Sequence, residues 1–243
     1  MSSYMGVRSV AEKIDKLYVG DGASIAMVAQ KAYFGDPRGV AELWYQRATP
    51  LGSLPGDMYD ASCNGTWLLM QDIYQSRQWH GSNTNNYEKS AVHAYLNVSF
   101  LNLFESNIKT TIKQVKLPYR KGSGTSTTAT SGSNGLSAKI FLLSATETSF
   151  NFSSMPRDEG AELAYFKGCS DAGADSKHVA YLSGSATYWW LRSPSCSLSG
   201  SALYVGSYGD WSYASCSTSR GIRPALVLPQ EVLVDKNNNV VGG

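Results

Sequence analysis

The sequence predicts an α+β domain with a small β-rich repeat at its N-terminal side. Three observations lead there. Residues 85–115 form one strongly periodic helical stretch, set among several short apolar runs of strand length. Two similar units stand 15 residues apart near the start. The Pro/Gly-rich "ATPLGSLPGD" (48–57) separates them from the rest and reads as a linker. The expected units are therefore 1–56, the repeat and linker, and 57–243, the main domain. A chain of 243 residues fits one large domain with an appendage, and its 42% hydrophobic content is enough for a core. The net charge of +2 argues against binding nucleic acid through phosphate contacts.

Taken in order, "KLYVGDGASIAMV" (16–28) matches "KAYFGDPRGVAEL" (31–43), pairing Tyr18 with Tyr33, Gly20 with Gly35 and Asp21 with Asp36. Each unit reads as an aromatic strand, a Gly-Asp turn and a second strand. One unit cannot bury a face alone, so two must pack together or on something else. The pair is either a plain hairpin extension or, since "YVGDGASIAMV" (18–28) resembles modules of phage tail and baseplate-associated proteins, an attachment module. "TWLLMQDIY" (66–74) reads as a buried strand. In 85–115, Ser90 stands at a first turn, and Val92, Tyr95, Leu96, Phe100, Leu103 and Phe104 recur at three and four. Asn97 to Ser99 should interrupt this run, giving two short helices. "VKLPYRK" (115–121) reads as a strand, and "GSGTSTTATSGSNG" (122–135) as a mobile, dispensable loop. "AKIFLLSATE" (138–147) reads as a central strand, "EGAELAYFKG" (159–168) as a short helix, and "RGIRPALVLPQEVLV" (220–234) as an apolar strand ending at Pro229.

Residues with reactive chemistry are sparse. Cys63, Cys169, Cys196 and Cys216 are scattered and read as free thiols; only Cys196 and Cys216 stand close enough to suggest a pair. His80, His93 and His178 do not cluster, and no Asp/Glu cluster suggests calcium, so no metal and no cofactor is expected. There is no Ser-His-Asp pattern, carboxylate pair or phosphate loop. No apolar run reaches the length of a membrane span, and the N-terminus does not read as a secretory signal. Asn64, Asn97 and Asn151 open sequons that, without such a signal, read as chance matches.

The unusual stretch is "SGSALYVGSYGDWSYASCSTSR" (199–220). It has no Lys, Glu, Gln or Met and is dominated by Ser, Tyr, Gly and Ala. Tyr supplies rigid amphipathic contact area, while Ser and Gly supply adaptable hydrogen bonding, the palette of antibody paratopes. An ordinary solvated Ser-rich loop is the plainer reading of the same residues.

"YWWLRSP" (188–194) followed by "GIRPALVL", with "LLMQDIYQSRQW", "AYLNVSFL", "IFLLSATE" and "EGAELAYF" before them, resembles the DUF6273-type domain of bacteria and phages over about 57–230. The resemblance implies a relative of the C-type lectin fold in its formylglycine-generating-enzyme-like version. It also implies kinship with target proteins of diversity-generating retroelements, in which a reverse transcriptase randomises template adenines. Products reachable from Asn codons include Ser, Tyr, Gly, Asp, Ala, Cys, Thr, Leu and Val, but not Lys, Glu, Gln, Met or Trp. Between Ser195 and Ser219 every residue except Trp211 belongs to that set. A variable region at about 195–219 follows. Its ligand-facing residues would be Ser195, Cys196, Ser197, Ser199, Ser201, Tyr204, Ser207, Tyr208, Asp210, Ser212, Tyr213, Ser215, Ser217, Thr218 and Ser219. Trp189, Trp190, Arg192, Trp211 and Arg223 would be scaffold, the two arginines as buried clamps onto carboxylate or carbonyl groups. Pro194 and Pro224 would fix the chain where it enters and leaves.

The expected function is ligand binding: a phage or prophage receptor-binding or adhesion protein whose partner is a bacterial cell-surface protein or glycan. The N-terminal repeat would join it to a phage tail or other virion component, placing it on the virion or an extracellular surface. The alternative is a structural virion decoration protein. An enzyme of formylglycine-generating type is not expected, because Cys196 and Cys216 fall inside the suspected variable segment.

Overall fold

The computed structural model describes residues 31–36, 39–44, 58–104, 106–122, 128–150, 157–169, 175–229, 233–234 and 240–242. The first repeat unit (16–28) and the linker (48–57) lie outside these. The second unit forms an antiparallel hairpin, β1 (Lys31–Asp36) with β2 (Gly39–Trp44). Gly35 and Asp36 close β1, paired with Val40 and Gly39, so the reversal falls one step after the expected Gly-Asp turn.

The main body has mixed α+β character. Its strands are β3 (Thr66–Leu69), β4 (Gln75–Gln78), β5 (Val115–Leu117), β6 (Leu136–Ala138), β7 (Ile140–Phe141), β8 (Tyr181–Leu182), β9 (Ser185–Ala186), β10 (Trp189–Pro194), β11 (Ser201–Val205), β12 (Trp211–Ser215), β13 (Ser219–Ile222) and β14 (Ala225–Leu228). A five-stranded sheet runs β12-β11-β10-β13-β4, and a three-stranded sheet runs β3-β14-β7. The single apolar strand expected after residue 220 is instead two strands, one in each sheet, broken at Arg223 and Pro224. Pro224 has no N–H to donate, while its carbonyl accepts from Met70 N.

The five-stranded sheet is buried on both faces at its centre, which is why all of β10 is buried without alternation. Trp190, Ala202 and Ile222 enter one core with Val92, Leu96, Phe100 and Phe104. Trp189, Leu191, Leu203 and Val205 enter another with Ile73 and Phe150. A third core gathers Trp67, Phe141, Phe166 and Val227 around the smaller sheet.

The helical segment begins where expected. The Ser90 hydroxyl accepts from His93 N at 3.0 Å, capping α1 (Ala91–Tyr95). Asn97 to Ser99 do not interrupt it. The backbone continues through a wide turn, Leu96–Phe100, and a 3-10 turn, Leu101–Leu103, and breaks at extended Phe104 before α2 (Ser106–Thr111). Asn97 is a brace: its amide donates to Ile140 O at 2.8 Å and its carbonyl accepts from Lys139 N at 2.8 Å. The Asn97 amide also donates to His93 O at 3.0 Å, and a side chain entering the backbone ladder is a recognised cause of such helix distortion.

Two further expectations change. Residues 159–168 form turns, not a helix. Gly160 has φ +126, and a Cβ there would collide with the Tyr59 hydroxyl. The strand expected over 138–147 shortens to β7, because 145–149 turns to aim Glu147 at the interior. Of the loop 122–135, residues 128–135 are docked: Thr130 bridges Tyr119, and Ala129 N donates to Asp158 Oδ2 at 2.9 Å. That part is therefore bonded to the domain, against the expectation of a mobile loop.

Candidate functional site

The stretch 195–219 hangs from two buried arginines. Arg192, in β10, donates through Nη2 to Glu147 Oε1 at 2.6 Å and through Nη1 to Oε2 at 2.5 Å. Its other bonds reach the carbonyls of Pro118, Leu142 and Glu159. Glu147 also accepts from the Tyr59 hydroxyl at 2.8 Å and Ser144 N at 2.9 Å, which fills both its oxygens. Full pairing is the condition under which a buried ion pair persists. Burial, the largest influence, would lower the Arg192 pKa; the charge and hydrogen bonds of Glu147, with Tyr59 and Glu159 adding to them, together hold the guanidinium above its ordinary value. At neighbouring Glu159, burial pushes the carboxyl up, with Arg192 opposing.

Arg223 sits where the chain passes between the sheets. It donates to Met70 O at 2.8 Å and stands 5.0 Å over the Trp189 ring. Burial brings its pKa down to about 10. Arg192, Arg223, Trp189 and Trp190 are all buried. Arg223 also lines a cavity of about 230 Å³, with Leu69, Asp72, Tyr165 and Tyr181, outside the 195–219 stretch.

Two loops rise from this base. Between β10 and β11, residues 195–200 are tied by one side chain from elsewhere. The buried Asn85 amide nitrogen donates to the carbonyls of Ser195, Leu198 and Ser201, at 3.3, 3.1 and 3.0 Å. Asn83 accepts from the Ser215 hydroxyl at 2.9 Å, and a Cβ on Gly200 would meet the Asn83 Cβ at 2.9 Å. Asn83 thus joins this loop to the end of β12. Between β11 and β12, residues 206–210 close on themselves: Gly206 N donates to Asp210 O at 2.6 Å and Gly209 N to Gly206 O at 3.0 Å. Gly209 backs onto Asp175 and His178. The His178 ring is stacked between Phe150 and Phe166, with centroids 4.3 and 5.2 Å away, and its Nε2–H donates to Thr148 O at 2.7 Å.

Of the residues expected to face a ligand, Ser197, Ser199, Tyr208, Tyr213, Ser217 and Ser219 are exposed, Tyr208 by 80% and Tyr213 by 47%. Cys196, Tyr204, Ser207, Asp210, Ser212, Ser215 and Thr218 are half-buried. Ser195 and Ser201 are buried, and their placement on a ligand-facing surface is corrected. The Ser195 hydroxyl accepts from Leu198 N at 3.3 Å, and the backbone of both serines closes the first loop. Trp211 packs against the Leu203 and Val205 core but is only half-buried, so it is scaffold at the rim. Tyr204 leans on Trp190 and Tyr188, at centroid distances of 6.1 and 5.6 Å.

All four cysteines are free, so Cys196 and Cys216 are unpaired. Burial raises each thiol, Cys63 to about 11 and Cys169 and Cys216 to about 12. Among the described residues no three His, Cys, Asp or Glu side chains converge as a metal site requires, and no helix is long and apolar enough to cross a membrane.

The profile of a family described as a domain of unknown function (DUF6273) matches residues 64–230. The chain belongs to the DUF6273 family. No curated protein and no solved structure matches it. The DUF6273 match runs from just before β3 to just past β14, so it takes in both arginine clamps and both loops, and leaves the β1–β2 hairpin outside. Within this DUF6273 domain, sequence reading missed Asn83 and Asn85. They lie in the polar run "SNTNN" (82–86), which reads as the approach to a helix. It also missed Arg77, Tyr95, Tyr188 and Arg220, whose stacking is visible only once β4 lies beside β13.

Proposed function

We propose that this protein is a ligand-binding protein whose 195–219 stretch is a diversified display surface on a C-type-lectin-like scaffold. One observation carries the reading. A continuous Ser/Tyr/Gly-rich stretch keeps its backbone tied to a buried framework while Tyr208, Tyr213, Ser197, Leu198, Ser199, Ser217 and Ser219 project into solvent. Exposed tyrosines on a fixed backbone are the means by which paratopes gain contact area at small entropic cost. Asn85 grips carbonyls, which every residue type possesses, so the exposed Ser197, Leu198 and Ser199 can change without losing that grip. The raised thiols weigh against an enzyme using cysteine chemistry, since thiolate is the reactive form.

The partner in this reading is a bacterial cell-surface protein or glycan, and the N-terminal repeat joins the domain to a phage tail or other virion component. The test is the DNA flanking the coding sequence. A reverse transcriptase and a near-copy of codons 188–226, differing at adenines, is the expected finding. A locus with neither, or sibling sequences whose differences avoid 195–219, would overturn the reading and favour a structural decoration protein.

A further inference from the structure

Across one face of the five-stranded sheet runs a row of cations and rings that only partly overlaps the 195–219 stretch. Tyr204, on β11, stands opposite Ser212 on one side and Trp190 on the other. The Arg220 guanidinium lies over Tyr204 at 4.8 Å and over Tyr188 at 4.9 Å. Arg220 is the direct cross-strand partner of Arg77 in the β13–β4 pairing. Arg77 in turn lies 3.7 Å over the Tyr95 ring. Tyr188 is 42% exposed, and both arginines are half-buried, so the row is open to solvent.

The arrangement is electrostatically unsatisfied. Like charges directly opposite on neighbouring strands repel. A folded protein ordinarily relieves such a pair with a carboxylate, yet among the described residues neither guanidinium makes an ion pair. Arg220 Nε is buried with no hydrogen-bond partner, and its one bond is a 3.3 Å contact from Nη1 to Ser219 O. Stacking on tyrosine faces holds both planes in place without satisfying their donors. Cross-strand partners stand roughly 5 Å apart at Cα, close enough for both guanidiniums to reach one small planar anion.

We propose that this row binds a ring-borne carboxylate, a uronate unit of an acidic polysaccharide, with Arg77 and Arg220 sharing the carboxylate and Tyr188 stacking on the sugar ring. Charge complementarity selects the anion. The exposed ring beside it selects a flat partner with an apolar face, and Ser212, paired with Tyr204 across β11 and β12, brings a hydroxyl to the same face. This names a ligand class for the display reading and rests on it only in taking this surface as a ligand surface.

The experiment is titration of the full chain with oligogalacturonate, its methyl ester, an oligoglutamate peptide and oligo-dT, by calorimetry at low and moderate salt. The free uronate should bind and the ester should not. Arg220→Gln and Arg77→Gln should each weaken binding at least tenfold. The double variant should be little worse than either, because the two residues share one carboxylate. Tyr188→Ala should weaken binding several-fold. If Arg220→Gln fails to fold, Arg77→Gln on the neighbouring strand reads the same contact. The proposal fails if the uronate does not bind, if the ester binds equally, if both arginine variants bind unchanged, or if oligoglutamate or oligo-dT binds more tightly. The flanking-DNA test does not involve these residues. An adenine-varied repeat found together with no uronate binding would sink this inference and leave the display reading standing.

Discussion

The loops 195–200 and 206–210 share an alphabet and a sheet, and both carry internal backbone bonds, but only the first is also held by a side chain from outside. The first is braced from outside: Asn85 bonds two of its carbonyls, those of Ser195 and Leu198, and that of Ser201 just past it. The second is closed from inside. Gly206 bonds Asp210, Gly209 sits at φ +83, and a Cβ on Gly209 would stand 2.7 Å from Asp175 O. A Cβ on Gly206 would collide with the Asp210 carboxylate. External bracing places its demand on a residue outside the stretch, so Ser197, Leu198 and Ser199 can vary. Internal closure places it on the loop's own glycines, leaving Ser207 and Tyr208 as the variable tip. A diversified surface built here has one permissive loop and one narrow one.

The largest expected effect comes from the base that both loops share. Arg192→Ala or Glu147→Ala leaves a fully buried charge without its partner, which costs about 3–5 kcal/mol. Denaturant unfolding should show both variants near or below the threshold of stable folding, with both loops lost together. A variant that unfolds like the parent protein would mean that water reaches the abandoned charge.

Separating the loops takes two smaller changes. Gly209→Ala forces a side chain into the left-handed region against Asp175, at a cost of about 2–3 kcal/mol. Asn85→Ala removes the shared donor and takes from Ser195 O its bond, while Leu198 O keeps Ser201 N and Ser201 O keeps Ser195 N, at a cost of about 1–3 kcal/mol. Amide hydrogen exchange should then quicken at 206–210 in the first variant and at 195–200 in the second. Exchange that rises in both loops in either variant would contradict independent bracing.

Much of this was legible in the sequence, and what was not has a physical cause. The buried arginines were readable because Arg192 and Arg223 stand among apolar residues, where a cation must be clamped. The caps and short strands followed from local pattern, as Ser90 shows. Asn97 was misread as a helix interruption because its partners, Lys139 and Ile140, lie more than 40 residues away. Ser195 and Ser201 were misread because composition marks a stretch as polar without fixing which way each residue faces. Strand register decides that, and register in β11 depends on pairing with both β10 and β12. The Arg77 and Arg220 row was invisible for the same reason, since it exists only through the β4–β13 pairing.

Acid should weaken the internally closed loop. His178, behind Gly209, has its pKa lowered mainly by burial, with Asp175 opposing the shift and Arg223 adding to it. The unfolded imidazole takes a proton near its ordinary value of about 6.5, while the folded one resists. Stability from this group is therefore whole above about pH 6.5 and is lost as pH falls toward the folded value. His93, also lowered by burial, acts in the same direction. Melting temperature should fall between pH 7 and pH 5, and the His178 ring, followed by NMR, should titrate below 6.5. Titration at or above that value would mean that the stack against Phe150 and Phe166 opens in solution.

The smallest effect is the one that defines a display surface. Tyr208 is 80% exposed at the tip of the narrow loop, whereas Tyr204, four residues earlier, contacts Trp190, Tyr188 and Arg220. Equal chemistry in unequal places should give unequal energies. Tyr208→Ala should change stability by no more than about 0.5 kcal/mol, the usual scale for a surface substitution. Tyr204→Ala removes a ring packed on the core and should cost about 1–2 kcal/mol, less than a fully buried aromatic because one side stays open. Tyr213, 47% exposed on edge strand β12, should fall between them. The three denaturant midpoints, with unchanged slopes, give the order directly. If Tyr208→Ala unfolds as readily as Tyr204→Ala, the tip is packed in solution, the narrow loop displays nothing, and only the externally braced loop remains to meet a ligand.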